Sequence, residues 1–289
     1  MKTSIIILTF NGLELNRKCV AALLANTRGD FELVIVDNAS TDGTVEYLEA
    51  QTDPRLHIIF NDRNAGFAAG CNQGARAATG GMLVFLNNDT EVTPCWLEPL
   101  QEALAEPGTG IAGSRLLFAD GTIQHAGLAV SRDGIPRHIY RGFPAGWPAA
   151  NKPREFQAVT GACLAIRKEL FDSAGGFDES YENGIEDIDL CFRVRRLGLK
   201  VVYRPESVVY HLECASKNRL GGVFRNLGLY RSRWPAVTPD EDDFYREDGF
   251  GRLFIMRQHI SNRYLTGNYG AKAKLLLTTL LEKLGRRAR

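Results

Sequence analysis

The sequence predicts an α/β protein: a Rossmann-like, mostly parallel central sheet flanked by helices, then a mixed α+β half and a helical C-terminal extension. Three observations carry this. Four short aliphatic runs, Ser4–Leu8, Glu32–Val36, Leu56–Phe60 and Met82–Leu86, recur through the first hundred residues. Helical patterns fill the gaps between them. Beyond residue 110 the pattern shifts to short apolar segments separated by Asp-Gly turns.

Each of the four runs suits a strand covered on both faces, as parallel sheets require. Between them, Leu13–Asn26 puts Val20, Leu23 and Leu24 on one helical face. Thr44–Ala50 makes a short helix, and Gly66–Ala78 repeats Phe67, Cys71, Ala75 and Ala78 at helical spacing. Thr93-Pro94 is expected to open a fourth helix, with Thr as cap, Pro at the first position, and Leu97, Leu100 and Leu104 buried. This βαβα order predicts a doubly wound sheet.

In the second half, Asp120-Gly121 and Asp133-Gly134 read as hairpin turns. The Pro and Gly residues from Pro136 to Pro153 predict a loop. A strand at Cys163–Ile166 and a helix at Lys168–Ala174 follow, the helix ended by Gly175-Gly176. A helix over Asp187–Leu197 turns Leu190, Val194 and Leu197 inward, and a strand follows at Lys200–Tyr203. Pro239–Asp248 is acidic. Ala271–Arg289 carries six basic residues against Glu282, with five leucines able to share one face. It reads either as a helix packed on the core or as an interfacial helix on an anionic membrane.

Composition narrows the class. The 289 residues are 44% hydrophobic and 24% charged, ordinary for a globular protein, with a formal net charge of +1. No basic excess marks a nucleic-acid binder, and no nucleic-acid partner is expected. No run reaches the roughly 18 apolar residues a membrane span needs. Ser4–Leu8 is shorter than a signal-peptide core and reads as a buried strand. The six cysteines are scattered without Cys-x-x-Cys, so neither a disulfide framework nor a zinc knuckle is expected. A cytoplasmic location follows as the expectation.

Four polar segments stand out. Asp37 ends the second strand, on the carboxyl side where open α/β sheets bind ligands. Its carboxylate either accepts hydrogen bonds from a nucleoside or caps the helix near Thr44. Leu86-Asn87-Asn88-Asp89-Thr90 sets a carboxylate at the same sheet edge, either to hold a hard divalent cation or as a polar turn. The small residues of Asn64–Asn72 resemble a phosphate cradle only loosely, and close helix packing explains them as well. Glu182–Asp189 packs four carboxylates into eight residues. Part of that cluster complements a helix N-terminus, while Asp187, after a flexible Gly, is well placed as a general base. His211, behind Val208-Val209-Tyr210, is either structural or a second metal ligand beside Asp89.

In chain order these segments resemble the inverting glycosyltransferases of family 2, which have the GT-A fold. The resembling residues are Ser4-Ile5-Ile6-Ile7-Leu8-Thr9-Phe10-Asn11, Val34–Thr44, Asn64-x-Gly66, Leu86–Thr90, Gly175–Glu179, Glu186-Asp187-x-Asp189-Leu190 and His211. They cover about residues 1–235. Within the family the chain is most similar to the rhamnosyltransferase-like enzymes of bacterial surface polysaccharide assembly.

The resemblance implies a catalytic domain over 1–235, with 1–109 as its nucleotide-sugar half, 110–235 as its acceptor half, and 236–289 as an extension. It implies metal-dependent transfer of one hexosyl or deoxyhexosyl unit from a nucleotide-diphosphate sugar to a glycan or lipid-linked oligosaccharide. Thr9, Asn11 and Asp37 would hold the nucleoside, and Asn64, Gly66 and Asn88 would line the donor pocket. Asp89 and His211 would bind Mg²⁺ or Mn²⁺. The sequence departs from the family's Asp-x-Asp here, because Asn87 occupies the first acidic position. Asp187 matches the catalytic base, with Glu186 and Asp189 orienting the acceptor or supporting that base. A lipid-linked acceptor would bring the protein to the inner face of the cell membrane, where residues 271–289 are the candidate contact.

Three rivals remain on sequence grounds. A nucleotidylyltransferase needs a Gly-rich basic loop after the first strand, which Thr9–Glu14 lacks. A catalytically idle nucleotide- or sugar-binding module would not need the intact Glu186-Asp187 and His211. A processive synthase carries Gln-x-x-Arg-Trp, where this chain has Tyr230-Arg231-Ser232-Arg233-Trp234.

Overall fold

The computed structural model describes residues 1–212, 219–256 and 258. Cys214 and the segment Ala271–Arg289 lie outside the described residues. Strands β1 (Thr3–Thr9), β2 (Phe31–Asp37), β3 (Leu56–Phe60) and β4 (Met82–Asn87) run parallel in the order β3-β2-β1-β4. Helices α1 (Leu13–Asn26), α2 (Thr44–Glu49) and α3 (Phe67–Ala77) connect them. Successive strand residues point to opposite faces. Ile5, Ile7, Leu33 and Ile35 therefore meet Cys19, Val20 and Leu23 of α1 on one side. Ile6 and Val34 meet Ala68, Cys71 and Ala75 of α3 on the other.

The small residues of α3 serve close packing. A Cβ at Gly74 would lie 2.6 Å from Ile6 Cγ2, and one at Gly70 would overlap Leu8. Only hydrogen at these positions lets the helix approach β1 so closely.

The second half completes a mixed sheet. Its elements are β5 (Thr90–Val92), α4 (Glu98–Ala105), β6 (Thr109–Leu117), β7 (Ile123–His125), β8 (Leu128–Val130), β9 (Pro136–His138), β10 (Arg154–Phe156) and β11 (Cys163–Arg167). Then follow α5 (Lys168–Ser173), α6 (Glu186–Arg196), β12 (Lys200–His211), α7 (Arg219–Arg233) and α8 (Glu241–Glu247). Strand β11 inserts antiparallel between β4 and β6, and β12 runs parallel to β6. Strand β5 pairs antiparallel with β12, setting Thr90 opposite His211. Both expected Asp-Gly turns close hairpins, β6–β7 and β8–β9, with Gly121 and Gly134 at φ 77°.

Four local expectations change. Helix α4 opens at Glu98 rather than at Thr93-Pro94. Thr93 donates from both its N–H and its Oγ1 to the Val208 carbonyl, so it is tied to β12 and cannot cap a helix. Leu97, Leu100 and Leu104 are nonetheless buried. Leu197 is 59% exposed, because α6 stops at Arg196 and Gly198 turns the chain at φ 79°. The stretch 136–153 contains β9 and a 3₁₀ turn at Pro148–Asn151. The strand begun at Lys200 continues to His211, passing a register shift between Arg204 and Val208.

A third core, around Ile123, Tyr140, Phe143, Phe156 and Tyr203, also takes in Tyr245 and Ile255. Asp248 is hydrogen-bonded to both Tyr140 and Arg154, fastening the chain after α8 to this core. No described helix is long and apolar enough to cross a membrane.

Candidate active site

The carboxyl ends of β1 and β2 carry a polar lattice. Asp37 is fully buried, and its two oxygens accept from the Ser40 N–H at 2.9 Å and the Ser40 Oγ at 2.5 Å. Ser40 Oγ in turn accepts from the Asn11 N–H at 2.7 Å, and Asn11 Oδ1 accepts from the Thr41 N–H at 2.7 Å. Asp37 thus shapes the loop after β2 and does not cap α2. Asp42 does that work. It accepts from Thr44 N–H and Oγ1 at 3.2 and 2.6 Å, and from the Gly12 and Leu13 N–H groups at 2.6 and 3.0 Å. One carboxylate therefore satisfies orphan donors at the starts of both α1 and α2. Burial opposes its charged form, but the bonds from Thr44, Leu13 and Gly12 outweigh that and hold Asp42 below the ordinary carboxylate range.

Thr9 is also buried, donating to Asn16 Oδ1 at 2.8 Å. Asn88 donates to the same Asn16 oxygen at 2.7 Å, linking the β4 end to this lattice. Asn64 is exposed, and its Oδ1 accepts from the Gly66 N–H at 2.9 Å and from Asn38 at 3.2 Å. Gly66 opens α3 at φ 87°, ψ 172°. Thr9, Asn11, Asp37, Asn64, Gly66 and Asn88 thus form one continuous edge.

The β4–β5 turn carries Asp89. Its Oδ1 lies 3.0 Å from His211 Nε2. Pairing of β5 with the end of β12 brings the two together. Asn87 Nδ2 lies 3.3 Å from the same ring nitrogen, and His211 Nδ1 lies 2.6 Å from Gln124 Oε1. A carboxylate oxygen and an imidazole nitrogen converging this way are suited to a Mg²⁺ or Mn²⁺ ion. No cluster of three or more His, Cys, Asp or Glu suited to a metal occurs among the described residues. Asp89 and His211 would thus supply two protein ligands to such an ion.

Asp187 sits in the first turn of α6. Its Oδ2 accepts from the Gly161 N–H at 2.6 Å, and its Oδ1 from the Ile188 N–H at 2.8 Å. A Cβ at Gly161 would lie 3.0 Å from Asp187 Cβ, so glycine leaves room for the carboxylate. Glu186 is buried and accepts from the Gly184 N–H at 2.6 Å. That bond helps hold the strained turn in which Ile185 adopts φ 79°. Asp189 points away from the site. It is 2% exposed, with Arg193 Nε at 2.7 Å, Trp234 Nε1 at 2.9 Å and the Tyr181 hydroxyl at 3.3 Å.

A cavity of about 230 Å³ joins these pieces. Asn87, His211, Glu186 and Asp187 all line it, with Phe67, Leu128, Pro136 and Ile185 as apolar lining. His138 and Arg141 add polar groups to it. Asp89, Asp189, Asn64, Gly66, Asn88 and the residues of the β1–β2 edge are not on its wall, and Asp89 reaches it only through His211. Sequence reasoning missed Asn16, Asp42, Gln124 and Gly161. Asp42-Gly43 before a helix was a legible signal, whereas nothing local marks Gln124. Burial raises the thiols of Cys19, Cys71, Cys163 and Cys191, which are packed in the core and suited to no nucleophilic role.

The family model described as glycosyl transferase family 2 matches residues 4–173. The O-antigen biosynthesis protein RfbC of Myxococcus xanthus is 38% identical over 253 residues, which are 84% of this chain and 20% of that protein. The uncharacterized protein y4gI of Sinorhizobium fredii is 37% identical, over 82% of this chain and 29% of its own length. The chain thus spans less than a third of these two relatives. An N-acetylglucosaminyl-diphospho-decaprenol L-rhamnosyltransferase of Mycobacterium tuberculosis is 26% identical over 69% of this chain and 72% of its own. Among solved structures, GalNAc-T7 with UDP, GalNAc and Mn²⁺ superposes with a TM-score of 0.64 at 19% identity, covering 91% of this chain and 58% of that one. Staphylococcus aureus TarS 1–349 gives 0.58 at 16% identity, covering 84% and 68%. The architecture is therefore that of the GT-A glycosyltransferases.

Proposed function

Starting from the fact that the chain belongs to glycosyl transferase family 2, we propose that it is an inverting enzyme. It moves one sugar from a nucleotide-diphosphate sugar to a hydroxyl of a glycan or lipid-linked oligosaccharide in bacterial polysaccharide assembly. The names of the RfbC and rhamnosyltransferase relatives support that setting. The observation that carries the chemistry is the shared cavity, whose lining includes Asp187, Asn87 and His211.

In this reading residues 1–109 hold the donor and 110–235 the acceptor, with 236–289 an extension of the catalytic domain. Asn64, Gly66 and Asn88 line the donor pocket. Thr9, Asn11 and Asp37 act on the nucleoside through the loops they lock. Asp89 Oδ1 and His211 Nε2 would hold Mg²⁺ or Mn²⁺, and the Mn²⁺ in the GalNAc-T7 structure supports that choice. When bound, the cation neutralises charge developing on the leaving diphosphate.

Asp187 accepts the proton of the acceptor hydroxyl, whose oxygen attacks the anomeric carbon on the face opposite the nucleotide. One positioned carboxylate is enough for this single displacement. Glu186 holds the turn before α6, and Asp189 anchors α6 to Arg193 and Trp234. Both are positioning residues. Residues 271–289 would dock on an anionic membrane at its inner face, beside a lipid-linked acceptor.

The test is a panel of nucleotide-diphosphate sugars offered with Mg²⁺ or Mn²⁺. Donor hydrolysis or transfer is followed, and the anomeric configuration of the product is read by NMR. Inversion supports the reading. Retention, or no turnover of any donor, overturns it.

A further inference from the structure

We infer that Gln124 is a positioning residue that holds a proton on His211 Nδ1 and so presents Nε2, beside Asp89, as a cation ligand. The inference rests on the proposal that Asp89 and His211 bind the cation.

The hydrogen bonds around the ring carry it. Gln124 is 2% exposed and bonds to one residue through both ends of its amide. Its Nε2 donates to the His211 main-chain carbonyl at 3.2 Å, and its Oε1 lies 2.6 Å from His211 Nδ1. An amide oxygen only accepts, so the proton of that short bond sits on Nδ1. Turning the amide over would set its oxygen against the His211 carbonyl oxygen, an acceptor facing an acceptor, so the bond to that carbonyl fixes the amide's orientation.

The other ring nitrogen agrees. Asn87 Nδ2, an amide donor, lies 3.3 Å from His211 Nε2, which fits a lone pair there. Asp89 Oδ1 is 3.0 Å from the same nitrogen. At that separation the two atoms are spaced to ligate one cation lying beside them, in place of the proton that otherwise joins them.

The strand framework keeps the geometry. Gln124 lies on β7 and His211 ends β12, and both strands pair with β6. The acceptor therefore approaches the ring from a sheet neighbour. Groups that fix the tautomer and orientation of a metal-binding histidine typically alter affinity by about 10–100-fold when removed.

The experiment compares the wild-type chain with Gln124→Leu, Gln124→Met and Gln124→Glu. Mn²⁺ is titrated by EPR, alone and with inorganic pyrophosphate. The imidazole tautomer is read by ¹⁵N NMR in metal-free protein, with His211→Asn assigning the signal. The expected result is Nδ1–H in wild type and in Gln124→Glu. Gln124→Leu should lose that preference and bind Mn²⁺ about 10–100-fold more weakly, while Gln124→Glu, which keeps an oxygen on Nδ1 but loses the bond to the His211 carbonyl, should lose less. Gln124→Met keeps the side-chain length and serves if Gln124→Leu fails to fold. Wild-type Mn²⁺ affinity in a folded Leu or Met variant, or an unchanged tautomer in it, overturns the inference alone. A wild-type chain that binds no Mn²⁺ overturns the cation reading as well.

Discussion

Asp187 Oδ2 accepts a 2.6 Å hydrogen bond from the Gly161 N–H, joining the first turn of α6 to the turn two residues ahead of β11. The other oxygen accepts from Ile188 N–H at 2.8 Å. Backbone donors from two elements thus orient the carboxylate on the cavity wall. Replacing Asp187 by Asn keeps the shape and an accepting oxygen but removes the basicity. Transfer should fall by roughly 10²–10⁴-fold, with donor affinity nearly unchanged. Steady-state kinetics with nucleotide-sugar binding by calorimetry checks this, and transfer within a few-fold of wild type removes Asp187 as the base.

The Asp89–His211 pair predicts dependence on a divalent cation. Asp89→Ala should weaken both Mn²⁺ and nucleotide-sugar binding, since a cation held there would help hold the donor, and His211→Ala should do so more mildly. Chelation should abolish transfer, and added Mn²⁺ or Mg²⁺ should restore it. Full activity in chelator speaks against the reading.

Asp42 ties the starts of α1 and α2 together. Asp42→Ala should cost about 1–2 kcal/mol of stability, the usual effect of losing a helix cap. It should also raise KM for the donor, because the turn at Gly12–Leu13 then loses its tie to the start of α2. Thermal melting and donor saturation curves give the two numbers. A variant changed in neither shows that the remaining bonds from Asn11 suffice.

Glu32 connects β2 to the start of β1 and the end of α3. It accepts from Lys2 Nζ and Ser4 Oγ at 2.6 Å each, and from Thr79 N–H and Oγ1 at 2.7 and 2.8 Å. Burial pushes its pKa up, but these bonds prevail and lower it from 4.5 to about 2. A folded-state value below the unfolded one stabilises the fold above the unfolded pKa and loses that contribution as pH falls through the folded value. The window is therefore from about pH 4.5 down to about pH 2. Glu32→Gln should lower stability at neutral pH by on the order of 2 kcal/mol and flatten the acid limb of the melting profile. An acid limb equally steep in the variant assigns that limb to other carboxylates.

Residues 271–289 carry a net charge of +5 in a chain of net +1. Contact with an anionic membrane through them predicts salt-sensitive co-sedimentation with anionic vesicles, lost on truncation after Gly270. Each basic residue can contribute on the order of 1 kcal/mol near such a surface. Equal and poor binding of both proteins at low salt assigns the segment to the fold or to a protein partner.

The sequence by itself determined the parallel half of this protein. Ser4–Leu8, Glu32–Val36, Leu56–Phe60 and Met82–Leu86 are strands within one residue of the observed ends. Their aliphatic runs, and the periodic stripes of Leu13–Asn26 and Gly66–Ala78, are local signals that burial on both sheet faces imposes. The order of polar segments was equally readable, and with it the candidate residues Asp89, Asp187 and His211. Tertiary structure alone decided which partners the polar residues found. Thr93 gave up a helix cap for the Val208 carbonyl, supplied by a strand far along the chain. Asp37 turned inward to Ser40, while Asp42 took both helix starts. Asp189, two residues from Asp187, went to Arg193 and Trp234 because one face of α6 packs against α7 while the other faces the cavity. Gln124 gained its role only when β7 and β12 met through β6. Periodicity is written in neighbouring residues, but a hydrogen-bond partner is chosen by whatever donor or acceptor the sheet brings within 3 Å.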